Sequence, residues 1–180
     1  VIANNGGAGV YLTTSAGAGN LILANSIRGN AGLAIDLGGA GPTANDVITF
    51  DSDAGANDLQ NYPVVQHAYR APNSEVVMGV LDSFNDGGAG FRLDFYYNAT
   101  CPALGSPARG DAGLYLGTAT VYADISGHAR YQVVLPAPNG DPVLGYLSAT
   151  ATAADGSTSE IGECKQEQPD RIFQNGFDVP

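Results

Sequence analysis

The sequence predicts an all-β protein in which short stacked coils come before an antiparallel β-sandwich. Two observations lead to this fold class: a 25-residue repeat at the start of the chain and, after Pro63, short segments in which apolar and polar residues alternate. Asn and Gly residues separate these segments, and 25 of the 180 residues are glycine. No part of the chain shows the apolar period that is typical of a long helix.

The repeat relates residues 1–12 to residues 26–37. A shift of 25 residues places apolar positions on apolar positions and turn residues on turn residues. The matched pairs are Ile2 and Ile27, Asn5 and Asn30, Gly7 and Gly32, Val10 and Ile35, and Leu12 and Leu37. Periods of about 20–50 residues are typical of stacked units, and Asn and Gly readily adopt the positive φ of their corners. We therefore expect residues 1–41 to form stacked β-coils.

The same stretch resembles the right-handed parallel β-helix repeat proteins of bacteria. The resemblance lies in the pattern N-x-I-x-x-N-x-I-x-x-N-x-G-x-A-I-D-L, which runs here from Asn20 to Leu37. It continues in D-x-D-x-G-x-N and L-Q-N-Y-P over residues 51–63. The resemblance implies that residues 1–41 are the last coils of a parallel β-helix and that residues 42–63 link them to a β-sandwich. It also implies that the chain is the C-terminal piece of a longer secreted protein.

Residues 64–164 are predicted to form an immunoglobulin-like β-sandwich. The clearest strand places Phe91, Leu93 and Phe95 on one face and the polar residues between them on the other. About six or seven segments of this kind follow one another, separated by turns rich in Gly, Asn, Asp and Pro. Short alternating strands at this spacing are typical of antiparallel sandwiches.

Two cysteines, Cys101 and Cys164, are the candidates for a disulfide bond. An even number of cysteines in a secreted chain favours a disulfide, although two free thiols remain the alternative. The C-terminal tail, residues 165–180, carries the segment from Ile172 to Asp178. That segment resembles the I-F-x-x-G-F-[ED] ending of many secreted gammaproteobacterial proteins. It either docks on the sandwich or is disordered.

The charge of the chain excludes some partners and suggests a cation. Eighteen acidic residues against seven basic ones give a formal charge of −11, which disfavours nucleic acid. No apolar run is long enough to span a membrane. The spacing Asp51-x-Asp53-x-Gly55-x-Asn57 resembles the start of a calcium loop. We expect this segment to bind Ca²⁺ through Asp46, Asp51, Asp53, Asn57 and Asp58. The alternative is a solvated acidic loop.

The sequence favours a non-catalytic structural or adhesive module of a secreted or cell-surface bacterial protein. An open coil end would be covered by upstream coils or would pair head to tail with a second copy. The first alternative is the C-terminal fragment of a polysaccharide lyase or hydrolase whose active site lies in upstream coils. The second is a carbohydrate-binding module in which Tyr96 and Tyr97 stack on glycans.

Overall fold

The computed structural model describes residues 1–39, 41–46, 53–83, 88–104, 108–138 and 143–169. Within these ranges the chain forms twelve strands and one short 3₁₀ helix, Ala56–Leu59. The strands are β1 (Ile2–Ala3), β2 (Val10–Leu12), β3 (Ile27–Arg28), β4 (Ile35–Leu37), β5 (Val64–Arg70), β6 (Ser74–Asp82), β7 (Phe91–Asn98), β8 (Leu114–Val121), β9 (His128–Pro136), β10 (Tyr146–Thr152), β11 (Lys165–Gln166) and β12 (Gln168–Pro169). The prediction of an all-β fold is confirmed. No helix among the described residues is long and apolar enough to cross a membrane.

Residues 1–39, called here the coil segment, contain two parallel strand pairs. Strand β1 pairs with β3 and β2 pairs with β4, and in both pairs the partners are 25 residues apart, as in Ile2 with Ile27 and Val10 with Ile35. The corners repeat as well, since Asn4 and Gly29 have φ angles of 58° and 63°. The 25-residue repeat in the sequence therefore matches the register in which the strands of both pairs are aligned.

Residues 64–169, called here the two-sheet unit, contain two four-stranded sheets. The strand orders are β11-β10-β7-β8 and β12-β5-β6-β9. All pairs are antiparallel except β12 with β5, which is parallel. One apolar core contains side chains from both sheets: Val65, Ala68, Val77, Leu81, Phe91, Leu93, Phe95, Tyr97, Leu116, Val121, Ala129, Tyr131, Leu135, Leu147, Ala149 and Ala151. The alternating apolar and polar residues that predicted the strands therefore point alternately into this core and towards the outer faces of the sheets.

A second apolar core joins the coil segment to the two-sheet unit. Its coil side consists of Ile27, Ala34, Ile35 and Leu37, and the opposite side includes Tyr96, Ala112 and Ile161 from the two-sheet unit, with Ala56 from the connecting segment. All of these side chains are buried. The coil segment is therefore packed on the outer face of one sheet, and this packing forms the junction between the coil segment and the two-sheet unit.

Candidate functional site

The junction begins at β3, whose free edge is occupied by the backbone of the two-sheet unit. The amide of Ile27 donates to the carbonyl of Ala112 at 2.7 Å, and the amide of Ala112 donates back to Ile27 at 2.9 Å. On either side, the amide of Gly29 donates to Asp111 Oδ2 at 3.1 Å and Ser26 Oγ donates to the carbonyl of Gly113 at 2.8 Å. We call this side of the coil segment, facing away from β1 and β2, its lower edge. Here Ala112 takes the place that a strand of another coil would take.

At β4, the lower edge is closed by a buried carboxylate. Glu160 is 2% exposed and accepts hydrogen bonds from the amides of Leu37 at 3.1 Å and Thr43 at 2.9 Å. Burial raises the pKa of Glu160, while these two amides and the charge of Arg109 act in the opposite direction. One side chain thus accepts hydrogen bonds from two backbone amides at this edge, and the amide of Leu37 would otherwise be buried and unpaired.

Beside Glu160 lies a buried arginine. Arg109 is 5% exposed, donates from Nη2 to the carbonyl of Thr43 at 2.7 Å and places its guanidinium 4.1 Å from the centre of the Tyr62 ring. Its Nε and Nη1 have no hydrogen-bond partner among the described residues. Stacking on tyrosine and attraction to Glu160 are therefore what stabilise this charge inside the junction.

Asn57 fastens the coil segment at a third point. Its side chain is fully buried, and Oδ1 accepts hydrogen bonds from the backbone and side-chain nitrogens of Asn20 at 2.8 and 2.9 Å. Its Nδ2 donates to the carbonyls of Asn20 and Thr158 at 2.9 and 2.8 Å. The side-chain amide of Asn57 therefore makes four hydrogen bonds within the protein. Through them it bridges the coil segment, at Asn20, and the two-sheet unit, at Thr158.

The predicted calcium ligands are not gathered at one point in the described part of the chain. Asp46 Oδ1 accepts a hydrogen bond from Asn61 Nδ2 at 2.8 Å, and Asp53 and Asp58 are exposed. Asp51 lies outside the described residues. In the ranges that the structure covers, no three His, Cys, Asp or Glu side chains form a group able to hold a metal ion. Calcium binding stays a prediction. Among the predicted ligands, Asn57 already uses its side-chain oxygen and nitrogen in hydrogen bonds to Asn20 and Thr158.

The prediction that Tyr96 and Tyr97 present open aromatic faces is wrong for both residues. Their exposed fractions are 2% and 6%. Strand β7 lies between β10 and β8, so its inner face, with Tyr97, packs on the opposite sheet. Its outer face, with Tyr96, is covered by the coil segment and by Tyr115, whose ring centre is 5.7 Å away. Alternation placed the two side chains on opposite faces but could not show that both faces are covered.

The predicted disulfide is present. Cys101 and Cys164 are bonded, with Cα atoms 6.0 Å apart. The bond ties the segment after β7 to the segment before β11, and both sulfur atoms lie close to the carbonyl of Arg109. Cross-linking of this kind restricts the unfolded chain and is worth roughly 4 kcal/mol for a loop of this length.

An open cleft lies at the rim of the junction. It has a volume of about 650 Å³ and is lined by Ser26, Arg28, Asn98, Thr100, Asp111 and Leu114, among others. Several of its polar groups already have protein partners, since Asn98 accepts from Gly113 and donates to Ser148, both at 2.9 Å. Burial raises the pKa of Asp111, opposed by the amide of Gly29 and the charge of Arg28. Ser26 and Asp111 thus bond across the junction, while Asn98 bonds within the two-sheet unit.

The upper edge of the coil segment, formed by β1 and β2, differs from the lower one. In the described part of the chain each of these strands has a single partner, β3 or β4. Asn5 donates from its backbone and side-chain nitrogens to Asn30 Oδ1, both at 3.0 Å, and Asn30 Nδ2 donates to the carbonyl of Ile2 at 3.2 Å. Asparagines one repeat apart thus link the coils.

Glycines at equivalent repeat positions show the same difference between the two edges. A Cβ on Gly32 would come within 2.8 Å of the amide nitrogen of Ala8 and 3.0 Å of the carbonyl carbon of Gly7, so only glycine fits under the neighbouring coil. A Cβ on Gly7, one repeat earlier, would meet no atom within 4 Å. Gly7, on the upper edge, is therefore the residue type that a closely stacked coil would require, although no described residue lies within 4 Å of its Cβ position.

Comparison of the chain with protein-family models, curated proteins and solved structures finds no match. The function must therefore be argued from the junction itself. Sequence reasoning missed Glu160 and Arg109, because single charged residues in irregular segments belong to no periodic pattern. The one available signal was the scarcity of basic residues, seven in the whole chain, which makes each arginine a candidate for a structural role.

Proposed function

We propose that this chain is a non-catalytic structural module that ends a parallel β-helix. In this proposal the coil segment is the last part of the stack, and the two-sheet unit is an immunoglobulin-like sandwich that closes it. The observation that carries the proposal is the difference between the two edges of the coil segment. One edge is bonded to Ala112 and Glu160, and the other has no partner among the described residues.

The closed lower edge argues for an end cap. An uncovered strand edge is a template for pairing with other chains, and proteins usually block it. Terminal units of repeat proteins carry out this task with a polar outer surface. Here the cap supplies a backbone partner for Ile27, a carboxylate for Leu37 and an apolar surface for the second core.

The upper edge argues for a further coil of the same 25-residue register. The contacts between the existing coils would continue across it, with Asn5 and Gly7 in the positions that Asn30 and Gly32 hold one repeat later. Head-to-tail assembly of identical chains is less well supported, because it needs two open edges and the lower one is occupied. A disulfide agrees with a secreted or cell-surface location for the whole protein.

The two other functions considered from the sequence have less support. The carbohydrate-binding proposal depended on exposed faces of Tyr96 and Tyr97, and both side chains are buried. The proposal of a polysaccharide lyase or hydrolase places its active site in coils outside this chain, so it is compatible with an end-cap role for these residues. The end cap is therefore the function we assign to this chain.

Fusion of a second copy of residues 1–25 in front of Val1 tests this proposal. If the upper edge receives coils, the added copy should stack in register, and the fusion should unfold in one transition at a higher temperature. Its β-sheet signal in far-ultraviolet circular dichroism should also increase. The measurement combines this signal with thermal unfolding.

A fusion that carries a scrambled copy of the same composition is the matched control. It should leave the melting temperature unchanged, and its added residues should exchange amide hydrogens at the rate of unfolded chain. The proposal fails if the true copy exchanges as fast as the scrambled one. It also fails if the two fusions melt at the same temperature.

A further inference from the structure

Three buried charged side chains meet where the chain crosses from one four-stranded sheet to the other. Arg70 ends β5, Glu75 lies in β6 and Glu167 stands between β11 and β12. Arg70 Nε donates to Glu75 Oε2 at 2.7 Å, and Arg70 Nη2 donates to Glu167 Oε1. The arginine side chain is 11% exposed, and both carboxylates are fully buried. This group is called here the crossing cluster.

Glu167 fixes the position of this chain crossing because it contacts both four-stranded sheets. Its amide donates to the carbonyl of Gly145 at 2.9 Å, and its Oε2 accepts from the amide of Gly145, next to β10, at 2.8 Å. The other carboxylate oxygen is bound by Arg70 in the opposite sheet. Strands β11 and β12 are only two residues each, so few other backbone pairs hold this part of the chain.

The charges of the crossing cluster do not balance when both carboxylates are ionised. One guanidinium then faces two carboxylates, which leaves one negative charge in the interior. Among the described residues, the phenol ring of Tyr97 on β7 also packs against the arginine, with its ring centre 5.2 Å from the guanidinium carbon. On β11, Lys165 makes no ion pair with a described carboxylate. Among the described residues, Arg70 is the positive charge that acts on the carboxyl of Glu75.

Glu75 is the member of the crossing cluster that is suited to hold a proton. Its Oε1 has no hydrogen-bond partner among the described residues. Burial raises the pKa of Glu75 to about 7, the charge of Glu167 adds to the effect and the bond to Arg70 opposes it. Burial lowers the pKa of Arg70, but its bonds to the two carboxylates have the larger effect and raise this pKa. The arginine therefore stays charged.

We propose that the crossing cluster is a pH-sensitive latch on residues 165–169. With a proton on Glu75, Glu167 is the ionised carboxylate of the cluster that the guanidinium binds, and the crossing is held in place. When Glu75 loses the proton, two buried carboxylates share one guanidinium and repel each other. The crossing then opens more often, while the disulfide at Cys164 keeps the start of the segment attached.

The direction of the pH dependence follows from the two states of Glu75. Its pKa in the folded protein, about 7, is above its ordinary value of 4.5, so the folded state keeps a proton that the unfolded state has already lost. The stability that this proton provides is complete below about pH 4.5 and is lost as the pH rises through about 7. The latch should therefore be closed in mildly acidic solution and loosened in mildly alkaline solution.

Hydrogen exchange of the full chain with its disulfide intact tests the latch. Exchange is followed by mass spectrometry at about pH 6 and about pH 8, and each rate is divided by the intrinsic rate at that pH. The corrected exchange of residues 165–169 should be several-fold faster at the higher pH. Amides of β6 and β9, which pair along nine residues, should show no such change.

Variants of the two carboxylates separate the latch from general loosening. Glu75→Gln resembles the protonated state and should keep the segment slow at both pH values. Glu167→Gln removes the held group and should make it fast at both. Glu163→Gln, a half-buried acid outside the cluster, should behave like the unchanged protein. The proposal is overturned if Glu75→Gln retains the full pH dependence.

A measurement on the unchanged protein covers the case in which a variant does not fold. The carboxyl carbon of Glu75 can be followed by nuclear magnetic resonance during a pH titration. The latch requires a titration near neutral pH that is accompanied by shifts in the amide signals of residues 165–169. A Glu75 carboxyl that is fully ionised at pH 6 would contradict it.

Discussion

Gly7 and Gly32 occupy the same position of the repeat in different surroundings. Gly32 lies under the neighbouring coil, where the backbone of Gly7 and Ala8 leaves no room for a Cβ. Gly7 faces open space. Neither residue has a positive φ, so the difference between them is one of space and not of backbone strain. The pair therefore reports directly on whether a coil is stacked above a given position.

Alanine substitutions at these two glycines should have unequal effects. Gly32→Ala should lower the free energy of unfolding by about 1–3 kcal/mol, because the Cβ meets backbone that must shift. Gly7→Ala should change it by less than about 0.5 kcal/mol, as is usual for an exposed site. Denaturant unfolding of both variants measures the difference.

The same pair gives a further check in the fusion that carries an extra coil. Gly7→Ala should become as costly there as Gly32→Ala is in the unfused chain, because Gly7 would then lie under a neighbour. Equal effects of the two substitutions in the unfused chain would show that the spacing between the coils is not what makes Gly32 necessary.

Buried charge is the other lesson at the scale of single residues. Arg70 and Arg109 are both largely buried, in a chain with only seven basic residues. Each contacts an aromatic ring, Tyr97 or Tyr62. A sequence pattern does not predict such sites, because each aromatic partner comes from a distant part of the chain.

Among the elements, the turn at Ala56–Leu59 depends on one side chain. Asn57, Asp58 and Leu59 have φ angles of 50°, 49° and 48°, in the left-handed region that costs energy for residues other than glycine. Asn57 offsets this cost with its four side-chain hydrogen bonds to Asn20 and Thr158. The turn is therefore maintained by contacts with both segments that it joins.

Replacing Asn57 should destabilise the protein strongly. Asn57→Ala removes the four hydrogen bonds that this side chain makes to half-buried Asn20 and to buried Thr158, and we expect a loss of about 2–4 kcal/mol in the free energy of unfolding. Asp58→Ala is the matched control, because Asp58 has nearly the same φ but an exposed side chain. Chemical denaturation of both variants isolates the side-chain contribution. Equal losses would contradict the bridging role of Asn57.

Sequence patterns predicted the elements better than the contacts between them. Repeat spacing gave the register of β1 with β3 and of β2 with β4, and alternation gave the inner faces of the two-sheet unit. Both patterns are local, and backbone geometry translates them directly into strands. The lower edge was not predicted, because Leu37 and Glu160 are 123 residues apart in the chain. Tyr96 was assigned to solvent for the same reason, since the element that covers it is distant in sequence.

For the whole molecule, the acidic composition leads to a prediction about calcium. If Asp46, Asp51, Asp53 and Asp58 bind Ca²⁺, millimolar calcium should raise the melting temperature and EDTA should lower it. A tenfold excess over the dissociation constant is worth about 1.4 kcal/mol, or roughly 3–6 °C for a chain of this size. The double variant Asp53→Asn with Asp58→Asn should lose this response, as measured by differential scanning calorimetry. A melting temperature that calcium leaves unchanged would remove the metal site from the description of this protein.

The closed lower edge also has a consequence for the order of folding. Strands β3 and β4 are synthesised long before Ala112 and Glu160, the residues that cover them. Contacts between such distant residues form slowly, because a long loop must close first. During that interval the lower edge of the coil segment is uncovered, and the segment is then most prone to aggregation. A translation product that stops before residue 112 would keep this exposure permanently, so incomplete chains of this protein should be the ones that aggregate.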